Sequence, residues 1–448
     1  MSSTNIAIVG TGFKGFCDVV QLLKVPGAKI TMLEHSDKYG GLVNSSKVGA
    51  FWVDRGVHMF DSIPQDLAEL ITSILNGRTH TVEFKSMSRF NSTNTDEFSM
   101  PDLSSLDRDT IVKIETELLN MKDVTRGECR DLGDYFKRRF GPTVAEIYSR
   151  IFFNVYGVEA SAAQVNAIDR TSLGRVRFGS DSEMIKLKHG NQRLDQILAA
   201  RRSSIGKVDS LVSLYPDTMK GMQGWAEASK EWLLSKGVEI HLSTTVNEIR
   251  SQTGRVEMTT SRGQMVFDHV IWANDDIRSF ASAVGVTEGV STLVSPTPMV
   301  LATLFTDHDK IRNFTYMQNF DVDAISYRTA SAGVYSKQII DGTTFITAEC
   351  PATVAEIESL DKSAFANRLW AELRSIGLVD EDARLKGFHI EGARRTFKVS
   401  LLGFDAEVKK VMQSARGKVA NLIFRDPSPF FRRDIYIDSK TILEKIGI

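Results

Sequence analysis

The chain is poor in cysteine, in proline and in net charge. It has three cysteines and 10 prolines in 448 residues, and 55 basic side chains nearly cancel 56 acidic ones. Cys17, Cys129 and Cys350 lie far apart in the sequence and without metal-ligand spacing. This argues against a disulfide framework or a metal site and favours a reducing, cytoplasmic compartment. The scarcity of proline also argues against long disordered linkers.

Long hydrophobic runs and a basic surface are missing as well. No stretch reaches the ~18 uncharged apolar residues of a membrane-spanning helix, and residues 1–4 lack the profile of a signal peptide. A net charge of −1 argues against a nucleic-acid partner, which needs a basic footprint. We therefore expect a soluble protein with a small-molecule partner, and the sequence leaves its oligomeric state open.

What the sequence does have is a strand–helix–strand pattern at its start. An apolar run over residues 5–9 is followed by a helical pattern over 16–24 and a second apolar run over 29–34. Such a unit within ~30 residues predicts a parallel sheet. Later segments are mostly helical from about 66 to 202 and rich in strand patterns from 297 to 350.

The first turn of this unit carries the spacing G-x-G-x-x-G at Gly10, Gly12 and Gly15. These glycines predict a tight turn, close approach of the backbone to a pyrophosphate, and close helix–strand packing. The helix N-terminus that follows offers free N–H groups to that pyrophosphate. Glu34, at the end of the second strand, is expected to bind a ribose without a 2′-phosphate.

Two more glycine features follow, the doublet Gly40-Gly41 and the segment from Gly56 to Phe60. This succession resembles FAD proteins of the glutathione-reductase-like class, which include amine oxidases, protoporphyrinogen oxidases and UDP-galactopyranose mutases. The resemblance implies FAD as cofactor and an α/β fold, with a Rossmann-like FAD-binding domain, a helical insertion and a sheet-containing substrate domain. The cofactor-binding residues that it implies are Gly10, Gly12, Gly15, Glu34, Gly40, Gly41, Gly56, Val246, Arg425 and Asp434.

Among these families, UDP-galactopyranose mutase is the best match for three segments. Residues 56–60 resemble the mutase strand beside the flavin, 152–159 the segment lining its nucleotide pocket, and 316–331 the strand pair carrying a diphosphate-binding arginine. The resemblance implies catalytic roles for His58 and Arg328. It implies substrate binding by Phe152, Tyr156, Tyr316, Tyr327 and Arg328. By residue type alone, His58, Phe152 and Tyr156 are also compatible with the core, and Arg328 with a sheet surface.

The C-terminal tail departs from the mutase pattern. Arg425 and Asp434 match it, but Phe424 replaces a glycine, and Phe430 and Phe431 replace tyrosines. The glycine permits close backbone approach to the cofactor, and the tyrosine hydroxyls contact the diphosphate. The tail therefore supports the superfamily better than the individual reaction.

Three functions follow from the resemblance. The first is flavin N5 chemistry at a nucleotide-linked sugar, as in mutases that serve polysaccharide or glycoconjugate synthesis. The second is an oxidoreductase of amine-oxidase or protoporphyrinogen-oxidase type, in which the flavin accepts a hydride. The third is a flavoprotein without catalytic activity, against which the intact fingerprint and Glu34 argue.

The predicted domain organisation is discontinuous. One FAD-binding domain is expected from residues 1–75, 205–280 and 385–448, with a helical insertion over 76–204 and a substrate-binding sheet region over 281–384.

Overall fold

The computed structural model describes residues 4–205, 212–286, 293–427, 429 and 431–447. The strands within these residues are β1 (Asn5–Val9), β2 (Lys29–Leu33), β3 (Ser45–Val48), β4 (Phe51–Asp54), β5 (Phe60–Ile63), β6 (Thr79–Thr81), β7 (Ser86–Phe90), β8 (Thr93–Asp96), β9 (Val212–Pro216), β10 (Glu239–His241), β11 (Val246–Gln252), β12 (Arg255–Thr260), β13 (Gly263–Phe267), β14 (His269–Trp272), β15 (Val294–Pro296), β16 (Met299–Asp307), β17 (Tyr316–Asn319), β18 (Arg328–Ala330), β19 (Thr343–Pro351), β20 (Gly387–Ala393), β21 (Lys398–Ser400) and β22 (Leu422–Phe424). The helices are α1 (Phe13–Leu22), α2 (Gln65–Ile74), α3 (Arg108–Asn120), α4 (Leu132–Phe140), α5 (Pro142–Tyr156), α6 (Asp181–Lys188), α7 (Gln192–Ile197), α8 (Arg202–Ile205), α9 (Met222–Ser235), α10 (Ile277–Ala283), α11 (Ala332–Tyr335), α12 (Val354–Glu358), α13 (Lys362–Ser375), α14 (Phe404–Lys418), α15 (Arg432–Ser439) and α16 (Ile442–Lys445).

These elements form two units, each built from separate stretches of the chain. Unit 1 comprises Met1–Val82, Ser210–Thr292 and Gly403–Ile448, and unit 2 comprises Glu83–Asp209 and Leu293–Leu402. The expected helical insertion and the expected sheet region thus belong to one unit, because strand β7 of the insertion pairs with β17 of the sheet. The last stretch of unit 1 begins at Gly403 rather than at 385, because β20 pairs with β16 in unit 2.

Unit 1 is organised by a five-stranded parallel sheet in the order β10-β2-β1-β14-β22. The central strand β1 is an apolar run whose residues Ile6, Ala7 and Ile8 are completely buried. Such a run is typical of a parallel strand that is covered on both faces. The expected α/β class with a Rossmann-like parallel sheet is therefore confirmed. Smaller antiparallel groups, β11-β12-β13, β3-β4 and β5-β9-β6, complete the unit.

Unit 2 contains a seven-stranded mixed sheet in the order β20-β16-β19-β18-β17-β7-β8. One face packs against α13, whose Phe365, Leu369 and Leu373 join an apolar core with sheet residues such as Met317 and Ile346. Strand side chains alternate between faces, and the other face carries polar residues on β17, β18 and β19 and apolar residues of β16 that join a second core. The polar part of this face has the chemistry to bind a ligand.

A second core in unit 2 belongs to the helices. Phe136 and Phe140 of α4 lie with their ring centroids 5.7 and 5.6 Å from that of Tyr148 of α5. Helices α12 and α13 are separate, because the Asp361 side chain accepts hydrogen bonds from the backbone of Ser363 and Ala364 and caps a new helix. Within the described ranges, no helix combines the length and the apolar character needed to cross a membrane.

Candidate functional site

The G-x-G-x-x-G turn joins β1 to α1 in unit 1. Gly10 has φ +111°, a backbone conformation that residues other than glycine rarely adopt. A Cβ at Gly15 would lie 2.2 Å from the Gly10 carbonyl oxygen, so helix and turn are in close contact there. A Cβ at Gly12, in contrast, would meet nothing within 4 Å. The turn is thus tightly packed on its inner side and open at Gly12.

The N-terminus of α1 begins at this open position. Gly12 is the N-cap residue, and its helix end has no side-chain cap. The first backbone N–H groups of a helix have no partner within the helix, and with the helix dipole they attract anions. An uncapped helix end beside an open glycine is therefore a cradle that fits the pyrophosphate of a dinucleotide.

Glu34 and the Gly40-Gly41 doublet close around the same turn. The Glu34 carboxylate accepts hydrogen bonds from Thr11 N at 3.0 Å and Thr11 Oγ1 at 2.9 Å. A Cβ at Gly41 would lie 3.1 Å from Gly12 Cα, and Gly40 N donates to Thr11 Oγ1 at 3.3 Å. The structure therefore brings the fingerprint, the carboxylate and the doublet together, as the sequence predicts.

Val246, the residue expected beside an adenine, opens β11. The backbone of Thr244, two residues earlier, donates to the Glu34 carbonyl oxygen at 2.7 Å. The segment that leads into Val246 is thus bonded directly to the end of β2, although no bond joins Val246 itself to the fingerprint turn within the described residues.

The segment from Gly56 to Phe60 follows β4 and is positioned by Asp54. The buried Asp54 carboxylate accepts from Ser45 Oγ at 2.6 Å, Tyr215 Oη at 2.6 Å and Met222 N at 3.1 Å. Burial raises the pKa of Asp54, and these hydrogen bonds act in the opposite direction. Gly56 then adopts φ +97°, which bends the chain toward His58.

His58 is half-buried and contacts an arginine of the C-terminal tail. Arg432 places Nη2 at 3.2 Å from His58 Nδ1, and its Nη1 donates to the Met59 carbonyl oxygen at 2.6 Å. The guanidinium also lies over the rings of Phe60 and Phe13, at 5.4 and 6.0 Å from their centroids. Sequence reasoning missed Arg432, because its partners are more than 370 residues away in the chain.

Arg425 and Asp434 occupy different surroundings from those expected of cofactor ligands. Arg425 is 0% exposed, and its guanidinium pairs with Asp18 at 3.3 Å and with Asp438 at 2.8 Å. The structure thus encloses this side chain in the interior of unit 1, where it holds α1 against α15. Asp434, in the first turn of α15, accepts from Arg433 Nε at 2.9 Å. Phe430 lies outside the described residues.

Asp18, the partner of Arg425, is itself completely buried. Burial raises the pKa of Asp18 to about 7, although the charges of Arg425 and Lys14 act in the opposite direction. Lys14, inside the fingerprint, pairs with Asp275, and its Nζ also donates to the Asp426 carbonyl oxygen at 2.8 Å. These groups form a charged network behind the turn that no sequence motif indicated.

In unit 2, the polar face of the sheet carries a row of aligned residues. Ser88 lies opposite Gln318, Gln318 opposite Arg328, and Arg328 opposite Glu349 in the strand register. Gln318 Nε2 donates to Tyr327 Oη at 2.9 Å, and its Oε1 accepts from Ser172 Oγ at 2.6 Å. The row therefore places Arg328 next to Gln318, whose side-chain amide is held by hydrogen bonds through both its nitrogen and its oxygen.

Arg328 is held along one edge by Glu349. Its Nε donates to Glu349 Oε2 at 3.1 Å, and its Nη2 lies 2.7 Å from both carboxylate oxygens. Burial works to lower the pKa of Arg328, but the charge and hydrogen bonds of Glu349 raise it overall above its ordinary value. The guanidinium also lies 5.2 Å from the centroid of the Phe397 ring. The side chain is therefore charged and oriented, and it remains 23% exposed.

The predicted substrate-binding aromatics differ in exposure. Tyr156 and Tyr327 are nearly buried, with ring centroids 6.4 Å apart, and Tyr156 Oη donates to the Arg170 carbonyl oxygen at 3.0 Å. Tyr316 is half-buried, with its hydroxyl 3.5 Å from Gln318 Oε1. Phe152 is completely buried, with its ring 4.8 Å from that of Tyr156, so it supports Tyr156 from the helical core instead of facing a ligand.

Possible metal ligands do not cluster in the described residues. Across the described part of the chain, no group of three or more His, Cys, Asp or Glu residues is placed to hold a metal ion. The described geometry therefore offers an open dinucleotide cradle in unit 1 and an oriented arginine on a polar sheet face in unit 2.

One profile of a known protein family matches the chain. The family profile described as flavin containing amine oxidoreductase matches residues 21–275. No curated protein sequence matches the chain.

Solved structures share the fold across the whole chain. A reduced UDP-galactopyranose mutase aligns with a TM-score of 0.74 at 14% identity, covering 100% of this chain and 94% of its own. A protein from Exiguobacterium sp. 255-15 proposed to be a protoporphyrinogen oxidase aligns at 0.66 and 16% identity, covering 100% and 99%. Putrescine oxidase with putrescine bound aligns at 0.62 and 13% identity, covering 100% of both chains. At these identities, the likeness shows the fold alone.

Proposed function

The chain belongs to the flavin-containing amine oxidoreductase family and is therefore an FAD-dependent enzyme, and from that premise we propose that its small-molecule substrate is a nucleotide-linked sugar. The proposed reaction is a flavin-assisted rearrangement of the sugar, similar to that of UDP-galactopyranose mutase. The flavoprotein superfamily predicted from the sequence is confirmed. The sugar substrate is a more specific assignment, and it is our proposal.

The observation that carries this proposal is the way Arg328 is held. Glu349 engages its Nε and Nη2, while Nη1 donates to no residue in the described part of the chain. Because one edge of the guanidinium is already fixed, its other edge can bind a ligand with little further loss of side-chain entropy. The planar arrangement of its N–H donors suits phosphate oxygens. We assign this edge to the diphosphate of the substrate.

The neighbours of Arg328 would complete the substrate site. The half-buried Tyr316 has a hydroxyl at the polar face, where it can bond a sugar or phosphate oxygen. Tyr327 accepts a hydrogen bond from Gln318, the ring of Tyr156 packs against that of Tyr327, and Phe152 packs against Tyr156. In this proposal, Tyr316 and Arg328 contact the substrate and the other aromatics position them.

Unit 1 would bind FAD through the residues that the fingerprint brings together. The α1 amides beyond Gly12 would hold the pyrophosphate, Glu34 would bind the adenosine ribose, and the Gly40-Gly41 doublet would continue the cradle. When bound, FAD supplies the electron pair for bond formation at the substrate, or accepts a hydride from it. In this proposal His58 would act beside the flavin, and Arg432 orients the segment that carries it.

A second candidate function is a hydride-transferring oxidoreductase acting on an amine or a neutral substrate. The observation in its favour is that the charges of Arg328 and Glu349 cancel. A pair with no net charge attracts a diphosphate less than a lone arginine does, and it tolerates an uncharged ligand. This candidate shares FAD and the fold with the first, and it differs in the ligand of unit 2.

Incubation of the reduced holoenzyme with UDP-galactopyranose separates the two candidates. The first predicts a new UDP-sugar isomer on chromatography, which is lost in Arg328→Met. The matched control is Arg394→Met, which removes an arginine from another Arg–Glu pair, with Glu358 at 2.6 Å on the exposed surface. Absence of any isomer, together with anaerobic bleaching of the flavin by amines, would contradict the first candidate and support the second.

A further inference from the structure

Arg432 ties the C-terminal tail to the segment that carries His58. It lies at the start of α15, and its two terminal nitrogens reach different groups of that segment, the His58 ring and the Met59 carbonyl oxygen. The guanidinium also stacks over the rings of Phe60 and Phe13, and these contacts restrict the orientation of its plane. These contacts, all with residues of unit 1, orient the Arg432 guanidinium.

The chemistry of an arginine decides which nitrogen of His58 carries hydrogen. A guanidinium has N–H donors and no acceptor, and it stays protonated in proteins. Its contact at 3.2 Å with His58 Nδ1 therefore requires a lone pair on Nδ1. A neutral imidazole with a lone pair on one nitrogen carries its hydrogen on the other.

We propose that Arg432 is a positioning residue that holds the neutral His58 ring in the tautomer with its hydrogen on Nε2. Nε2 is then a hydrogen-bond donor, while Nδ1 accepts from Arg432 and does not act as a base. This role goes beyond the proposed function, because it depends only on contacts within unit 1 and applies equally to a sugar rearrangement and to hydride transfer.

Nitrogen NMR of the holoenzyme tests the proposal without reference to activity. Protein labelled with ¹⁵N-histidine is recorded at about pH 8, where an ordinary histidine is neutral. The His58 signals among those of the eight histidines are assigned by their loss in His58→Gln. We expect a protonated Nε2 and an unprotonated Nδ1. Should His58→Gln not fold, His58→Asn serves for the assignment. Hydrogen on Nδ1, or an averaged mixture of the two forms, would overturn the proposal.

Variants at neighbouring positions sharpen the test. Arg432→Met removes the donor and is expected to convert the single form of His58 into a mixture, seen as a loss of the separate Nδ1 and Nε2 signals. Arg433→Met is the matched control, because the adjacent arginine pairs with Asp434 instead. It is expected to retain the wild-type spectrum. A folded Arg432→Met protein with an unchanged His58 spectrum would contradict the role assigned to Arg432.

Discussion

Arg425 and Arg328 carry the same guanidinium group and each pairs with carboxylates, yet unit 1 encloses the first and unit 2 leaves the second partly open. Arg425 is 0% exposed between Asp18 and Asp438, whereas the Arg328 side chain is 23% exposed beside Glu349. Both were predicted to bind a ligand because both match positions of the same family. An arginine that matches a family position therefore identifies a position that carries a charge. The burial of its side chain decides whether that charge stabilises the fold or binds a ligand.

Removal of the enclosed arginine should have the largest effect on stability. At about pH 8, where Asp18 is ionised, Arg425→Met leaves the buried Asp18 carboxylate without its paired cation, and breaking a buried pair in this way costs about 3–5 kcal/mol of unfolding free energy. Urea unfolding measures the loss. The double variant Asp18→Asn, Arg425→Met should recover part of it, because no buried charge remains unpaired. A loss below about 1 kcal/mol in the single variant would place Arg425 outside the structural role assigned here.

The pH dependence of stability examines the same network. Folded Asp18 keeps its proton up to about pH 7, while an unfolded aspartate loses it near pH 4. Between these values the folded state binds more protons, so the free energy of unfolding falls as pH rises, by at most about 1.4 kcal/mol per pH unit. Asp18→Asn should flatten the decline measured by urea unfolding between about pH 5 and pH 7. Equal slopes for variant and wild type would contradict the raised pKa of Asp18.

Removal of the open arginine should cost less stability than removal of Arg425. Arg328→Met removes the cation beside Glu349, but solvent reaches the Arg328 side chain, so we expect a loss of about 1–3 kcal/mol. The FAD content, read from flavin absorbance after denaturation, should be unchanged, because no residue of the cradle is altered. A loss as large as that of Arg425→Met would indicate that the two arginines have the same structural role.

A smaller effect is expected at the fingerprint turn. Thr11→Val removes the hydroxyl that donates to Glu34 at 2.9 Å and accepts from Gly40 at 3.3 Å, at a cost of about 1 kcal/mol. Thermal unfolding measures this loss. Thr110→Val, which breaks an exposed hydroxyl–carboxylate bond of 2.7 Å with Asp107, is the control and should cost less. An equal effect at both positions would argue against Thr11 as the link between the turn and Glu34.

The parts of the site that the sequence predicts well are those encoded by local spacing. Gly10, Gly12 and Gly15 lie within one turn, and an apolar strand on either side of a helix is sufficient to place Glu34 beside them. Such features depend on backbone geometry over a few residues. They are therefore visible in the sequence before any tertiary contact is known.

The parts that could not be predicted depend on contacts between distant stretches of chain. Glu349 is the partner of Arg328 only through the register of β18 and β19. Arg432 reaches His58 across a separation of 374 residues. The burial of Arg425 required knowledge of Asp18, a charged residue of α1 that no periodic pattern marks as an ion-pair partner. Residue type identified the charges, and only the fold identified their roles.

Calorimetric titration of the reduced holoenzyme with UDP tests the central claim most directly, namely that the open edge of Arg328 in unit 2 binds a nucleoside diphosphate. The account predicts saturable binding to wild type and to Arg394→Met, and at least a tenfold weaker affinity in Arg328→Met, a difference of about 1.4 kcal/mol. Equal affinity in wild type and Arg328→Met, or no binding of UDP to either, would contradict it.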